Sequence, residues 1–176
     1  YKSTYRYELD QAPTRVAISA IYEYEKDYGK DNPHLDECIA MLTALKERLD
    51  RKAYESARLY YKMEDYKASR VAFRNILKEN SENVYREDIL YYVAMSSYKY
   101  AQMSVPSKQK ERYMTFIDDY LNFVGEIPES KYSKELKVMY ARAQRALGKY
   151  VGSEEELNMK EKEIEKERKA SAKAAK

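Results

Sequence analysis

The sequence predicts an all-α fold: a stack of helical hairpins, an α-solenoid, with one long helix near 33–64. Three observations predict it. Gly and Pro make up eight of 176 residues, under 5%, against about 12% in ordinary usage, which is too few turn-formers for a β-sandwich or barrel. Apolar residues recur at threes and fours, the period of one helix face. Segments of the chain also line up with one another, as helical repeats do.

The elements follow in order. Residues 1–9 read as the remnant of a preceding helix. Pro13 suits a first helical turn, where a missing N–H costs nothing, with Asp10 or Ala12 as the cap site and Gly29 as the stop of a helix over 13–28. Pro33, after Asn32, opens the next helix. There Leu35, Ile39, Leu42, Leu45 and Leu49 form one apolar face that runs on through Ala53, Ala57 and Tyr60. No breaker interrupts it, so one rod of about 45 Å is predicted over 33–64. Asp65-Tyr66 makes a turn, and helices follow at 66–79 and 84–103. Ser104, near Pro106, is the cap site for 107–124, which Gly125 ends; Gly148 ends 132–148. The repeat domain is therefore 1–152. Residues 153–176 form a charged extension, expected to be helical at its start and frayed toward Lys176, with disorder as the alternative.

Composition bounds the chemistry. Thirty-three Lys and Arg face 30 Asp and Glu, a net charge of +3, which does not call for nucleic acid or anionic lipid. One Cys excludes an internal disulfide framework. One His excludes any two-histidine mechanism: His34 reads as a solvated first-turn residue and Cys38 as a small packed one. Asp118-Asp119 and Glu154–Glu156 are sequence neighbours, pointing about 100° apart on a helix, so they do not pair as carboxylates. There is no Gly-rich phosphate loop, nucleophile elbow or zinc spacing. No apolar run reaches the roughly 18–20 residues of a membrane span. The chain begins at Tyr1 and reads as a mature or truncated fragment. An enzyme is not expected, and neither is a cofactor, a metal site or a catalytic residue.

Twenty Tyr carry the functional reading. Ser56–Lys62 aligns with Val93–Lys99 at an offset of 37, matching Tyr54 with Tyr91 and Tyr61 with Tyr98. Asn80–Tyr85 aligns with Ile127–Tyr132 at an offset of 47, matching Phe73 with Tyr120. In a repeat stack the first helix of each hairpin lines the concave face. That register puts Arg51, Tyr54, Arg58 and Tyr61 on the face from one repeat, and Asp88, Tyr91, Met95 and Tyr98 from the next. Tyr and Arg are enriched at interfaces because they combine large buried area with a polar tip; packing between hairpins is the alternative for about half of the Tyr. Arg70 and Arg74, beside Lys67, form a basic stripe that suits an acidic partner surface or simply a solvated face.

Residues 50–83 resemble a tetratricopeptide repeat. Ala57 and Ser69 occupy the two small positions where helices cross, Tyr60 and Phe73 the large ones, Asp65-Tyr66 the turn, and Leu77 follows. Ser81 stands where that family usually has Pro, and Ala53 where a large aromatic is common. A narrower resemblance rests on Arg48–Tyr61 ending a long helix, Asp65–Ser69 opening the next, the Ser104–Tyr113 segment, and Phe123–Tyr132. Together, over residues 1 to about 148, these resemble the later repeats of the BamD-like lipoproteins of outer-membrane β-barrel assembly, in the form found in Bacteroides-like bacteria. The resemblance implies a periplasmic, lipid-anchored scaffold at the outer membrane. Its partners would be the periplasmic repeats of the barrel-forming subunit and unfolded outer-membrane proteins. The family's lipid-bearing N-terminal Cys is not in this chain, so membrane attachment is implied by the family alone. A generic tetratricopeptide adaptor for peptides is the alternative function. A basic helical nucleic-acid binder is disfavoured by the near-neutral charge.

Overall fold

Six α-helices and no strand occur among the described residues, an all-α fold. The computed structural model describes residues 1, 4, 6–29 and 33–151, with the backbone alone at 149–151; the expected 153–176 extension lies outside them. In order the helices are α1 (Ala12–Tyr28), α2 (Leu35–Lys62), α3 (Tyr66–Glu79), α4 (Arg86–Gln102), α5 (Pro106–Glu126) and α6 (Ser133–Val151). The long helix is a single unbroken rod, as its uninterrupted apolar face requires. The chain divides into two compact units, Tyr1–Val93 and Ala94–Lys176, and the division falls inside α4.

In the first unit, consecutive helices run antiparallel. Lys46 Nζ lies 5.4 Å from the centre of the Tyr22 ring, and Lys52 donates to the Leu9 carbonyl at 2.7 Å, which sets α1 against α2. The α2–α3 hairpin turns in three residues. Glu64 takes a left-handed φ of 61°, and the Asp65 carboxylate caps α3 by accepting from the Ala68 N–H at 3.0 Å. Such a cap satisfies a helix N–H that would otherwise lack a partner. The far end of the hairpin is fastened by Asp50, which accepts from Asn80 Nδ2 at 2.9 Å and the Val84 N–H at 3.4 Å. Ala57 and Ser69 are buried at the crossing and Phe73 fills the space beside them. Small side chains let two helix axes approach closely, and the aromatic fills the groove they leave. The core joins Tyr54, Ala57, Phe73, Ile76, Ile89 and Val93.

In the second unit, Tyr98 packs edge-on to Phe116 at 5.2 Å, joining α4 to α5. Buried Asp119 accepts a hydrogen bond from the Ser97 hydroxyl. Tyr120 stacks on Tyr140 at 4.5 Å across the α5–α6 hairpin.

The 47-residue offset is realised atom by atom in two turns. Asn83 Oδ1 accepts from the Tyr85 N–H at 2.9 Å; 47 residues on, Ser130 Oγ accepts from the Tyr132 N–H at 3.1 Å. The backbone bonds Asn80 to Ile76, Arg86 to Asn83 and Ile89 to Tyr85 recur as Ile127 to Phe123, Ser133 to Ser130 and Leu136 to Tyr132. Asn and Ser serve the same turn because each oxygen reaches the backbone two residues on.

Several local expectations are corrected. Among the described residues of 1–9 there is no helix; turns and bends occupy 7–9. Buried Gln11 holds that segment by donating to the Arg6 and Leu9 carbonyls. Pro33 and His34 form a turn before α2 rather than its first turn. Ser104 does not cap α5, whose N-cap is Val105; its hydroxyl donates to the Tyr100 carbonyl and accepts from Arg112. Gly125 and Gly148 lie inside α5 and α6. A helical Gly costs only about 1 kcal/mol, so packing carries both helices past it. Gly29 does leave the helical region, at φ 60°.

Candidate interaction surface

The first unit gathers aromatic rings from three helices. Tyr54, Arg58 and Tyr61 recur at four and three residues, so they share one face of α2. Tyr54 stacks on Tyr85, just before α4, with centroids 4.7 Å apart and planes 12° apart. It also meets Phe73 of α3 at 5.9 Å and Tyr92 of α4 at 6.2 Å. Tyr92 stacks on Phe73 at 5.2 Å. Tyr61 stands edge-on to Tyr92 at 4.9 Å and to Tyr66 at 5.3 Å, and Tyr91 stands edge-on to Tyr92 at 5.1 Å. Offset and edge-on contacts of this kind add about 0.5–1.5 kcal/mol each beyond area burial.

Polar groups rim these rings. The hydrogen bond between Arg58 and Tyr92 raises the Arg58 pKa above its ordinary value. Arg58 Nη1 also lies 3.4 Å from Glu55 Oε2. Burial, followed by the neighbouring Tyr92 and Asp88, pushes the Tyr54 hydroxyl pKa well up. Burial likewise raises Tyr66 and Tyr85, with Arg51 opposing it at Tyr85. Exposed Arg51 lies over the Tyr7 ring, 4.3 Å from its centre. Arg48 donates to the Thr4 hydroxyl nearby. A planar guanidinium on an aromatic face keeps its fork of donors presented to a partner.

The expected contact residues therefore divide. Arg51 is exposed; Arg58, Tyr61, Asp88 and Tyr91 are half-buried. Tyr54 is 8% exposed and belongs to the core, so it presents no surface to a partner, contrary to expectation. Met95 and Tyr98 are buried as well; residues 93–98 of α4 are apolar or small and all buried, and a stretch apolar all round packs on every side. Arg70, half-buried, and Arg74, exposed, lie on α3. Tyr85, Tyr92 and Tyr7 were not expected. Tyr85 stood opposite Tyr132 in the self-alignment, and Tyr92 sits beside Tyr91, but neither position marks a surface by itself.

Among the described residues, no group of three or more His, Cys, Asp or Glu could hold a metal ion. None of the described helices is long and apolar enough to cross a membrane. No protein-family model matches the chain, and no curated protein sequence does.

Proposed function

We propose that this chain is a non-enzymatic interaction scaffold of the outer-membrane β-barrel assembly machinery, acting at the periplasmic face of the outer membrane. It would bind the periplasmic repeats of the barrel-forming subunit and receive unfolded outer-membrane proteins. The observation that supports a binding role is the pre-set Tyr–Arg surface of the first unit. Arg58 is fixed by Tyr92 and Glu55, and half-buried Tyr61 and Tyr91 lean on the Tyr92 ring. Side chains fixed before binding lose less entropy on association. The assembly partners come from the family resemblance of residues 1 to about 148. Saturable binding of the chain to those periplasmic repeats, weakened but not abolished at higher salt, is the expected outcome of a titration. Absence of binding by well-folded protein would refute the assembly role and leave a peptide adaptor as the reading.

A further inference from the structure

In the second unit, positive charge is gathered on one helix. In sequence α6 holds Lys134, Lys137, Arg142, Arg145 and Lys149 against one carboxylate, Glu135. Five cations against one carboxylate give +4, more than the +3 of the whole chain. At about 100° per residue, Lys134, Lys137, Val138, Ala141, Arg142 and Arg145 fall on one side of the helix, and all six are exposed. Leu136 and Ala143, both 0% exposed, mark the opposite side, which packs into the unit. Glu135 stands in the first turn, at the edge of the exposed face.

This face works against the stability of its own helix. Lys134 and Lys137 are three apart, and so are Arg142 and Arg145; like charges at that spacing disfavour a helix. Lys134 also lies in the first turn, where the helix dipole disfavours a cation. Other helices offset such charges: Arg58 lies beside Glu55 on α2, and Lys108 beside Glu111 on α5. Among the described residues, no ion pair or side-chain hydrogen bond engages Lys134, Lys137, Arg142 or Arg145, so Glu135 pairs with none of them. Val138, 49% exposed, lies at the centre of the face. With the small Ala141 it leaves a low strip between Lys137 on one flank and Arg142 on the other.

We propose that the exposed face of α6 docks an acidic helix of a partner protein. Apolar side chains of that helix seat over Val138 and Ala141, and the small Ala141 lets the two helix axes approach closely. Its carboxylates meet Lys137 and Arg142 on the flanks and Lys134 and Arg145 at the ends, a match of opposite charges. Lys134, Val138, Ala141 and Arg145 follow at intervals of four, three and four, the spacing of a helix–helix seam. From Lys134 to Arg145 is about 16 Å, so a partner helix of about three turns spans the cations. A bilayer suits the face less well, because among its described residues Val138 is the one large apolar side chain. Single-stranded nucleic acid suits it less well too, because no aromatic ring among those residues offers a base a stacking platform. The site is independent of the tyrosine surface, and its failure would leave that reading untouched.

The test is fluorescence anisotropy of the full chain with labelled peptides of about 14 residues. The first is helical, with Ala and Leu along one face and Glu on both flanks. A second replaces every Glu by Lys. A third keeps every Glu but places Pro at two central positions, which breaks the helix. The first should bind saturably, and at least about tenfold more tightly than either of the others. Arg142→Glu/Arg145→Glu should weaken it about tenfold or more, and Val138→Gln severalfold. Lys67→Glu/Lys78→Glu on α3 changes the net charge equally and should leave affinity within about twofold. All five positions are exposed, and unchanged circular dichroism would show that the variants fold. Equal binding of the first peptide and either other, equal loss in both double variants, or no saturation by about 1 mM would overturn the proposal. So would tighter binding to phosphatidylglycerol vesicles or a DNA duplex that Arg142→Glu/Arg145→Glu abolishes, which would assign the face to another class of polyanion.

Discussion

Replacing Tyr54 by Ala removes the ring on which the first unit's core is centred. That ring touches Tyr85, Phe73 and Tyr92 at 4.7, 5.9 and 6.2 Å and is 8% exposed. A buried Tyr covers about 150–250 Å², and at roughly 25 cal/mol per Å² that is about 4–6 kcal/mol as an upper bound. Measured losses for buried aromatic-to-Ala changes run about 3–5 kcal/mol. A loss of about 3–5 kcal/mol is therefore expected, a large part of a domain's total of about 5–15 kcal/mol. Urea unfolding followed by far-UV circular dichroism measures it, with Tyr91→Ala as the control. Tyr91 is half-buried, so its loss should stay near 1 kcal/mol. A cost below about 1 kcal/mol for Tyr54→Ala, with helicity unchanged, would place the ring at the surface and refute the assignment.

Other expectations test single links. Asp65→Ala removes the side-chain cap of α3 and should cost about 1 kcal/mol in the same unfolding assay. Ser69→Leu forces a large side chain into the α2–α3 crossing and should cost about 1–3 kcal/mol or more, whereas a neutral result would show the crossing to be loose. Alkaline titration should destabilise the fold. Tyr54, Tyr66 and Tyr85 all have folded pKa values above the ordinary value of 10.0. Below pH 10 both states hold these protons and the stability is intact. Above it the unfolded chain releases them first, so stability falls as pH rises toward the folded values, by up to about 1.4 kcal/mol per pH unit for each such group. A flat profile from pH 9 to 11 would contradict their burial.

The helices were legible because their signals are local. Pro13 and Pro106 in first turns, Asp65-Tyr66 at a turn and the apolar face from Leu35 to Leu49 each act within a few residues, and the observed boundaries fall within about three residues of the expected ones. The crossing was legible too, since Ala57 and Ser69 combine small size with repeat spacing. The direction of each tyrosine was not. Tyr has an apolar body and a polar tip, so it fits a core and a surface equally well, and helical spacing does not separate the two. Tyr54 and Tyr61 sit on the same face of α2, yet one is enclosed by three rings and the other is half-open. The difference comes from Phe73 and Tyr85, which meet Tyr54 and not Tyr61, and no local pattern connects Tyr85 to α2. Met95 and Tyr98 were misread for a related reason: residues 93–98 of α4 are all buried, and the offset from α2 transferred the surface of one helix to another with different neighbours.

The central claim is that binding uses the open Tyr–Arg rim and not the enclosed ring. An Arg51→Ala/Tyr91→Ala variant tests it most directly, titrated against the periplasmic repeats of the barrel-forming subunit and compared with the unaltered chain. A loss of affinity of about tenfold or more, with helicity and urea midpoint nearly unchanged, is the predicted result. Unaltered affinity in a folded double variant would contradict the claim and remove this surface from the interface.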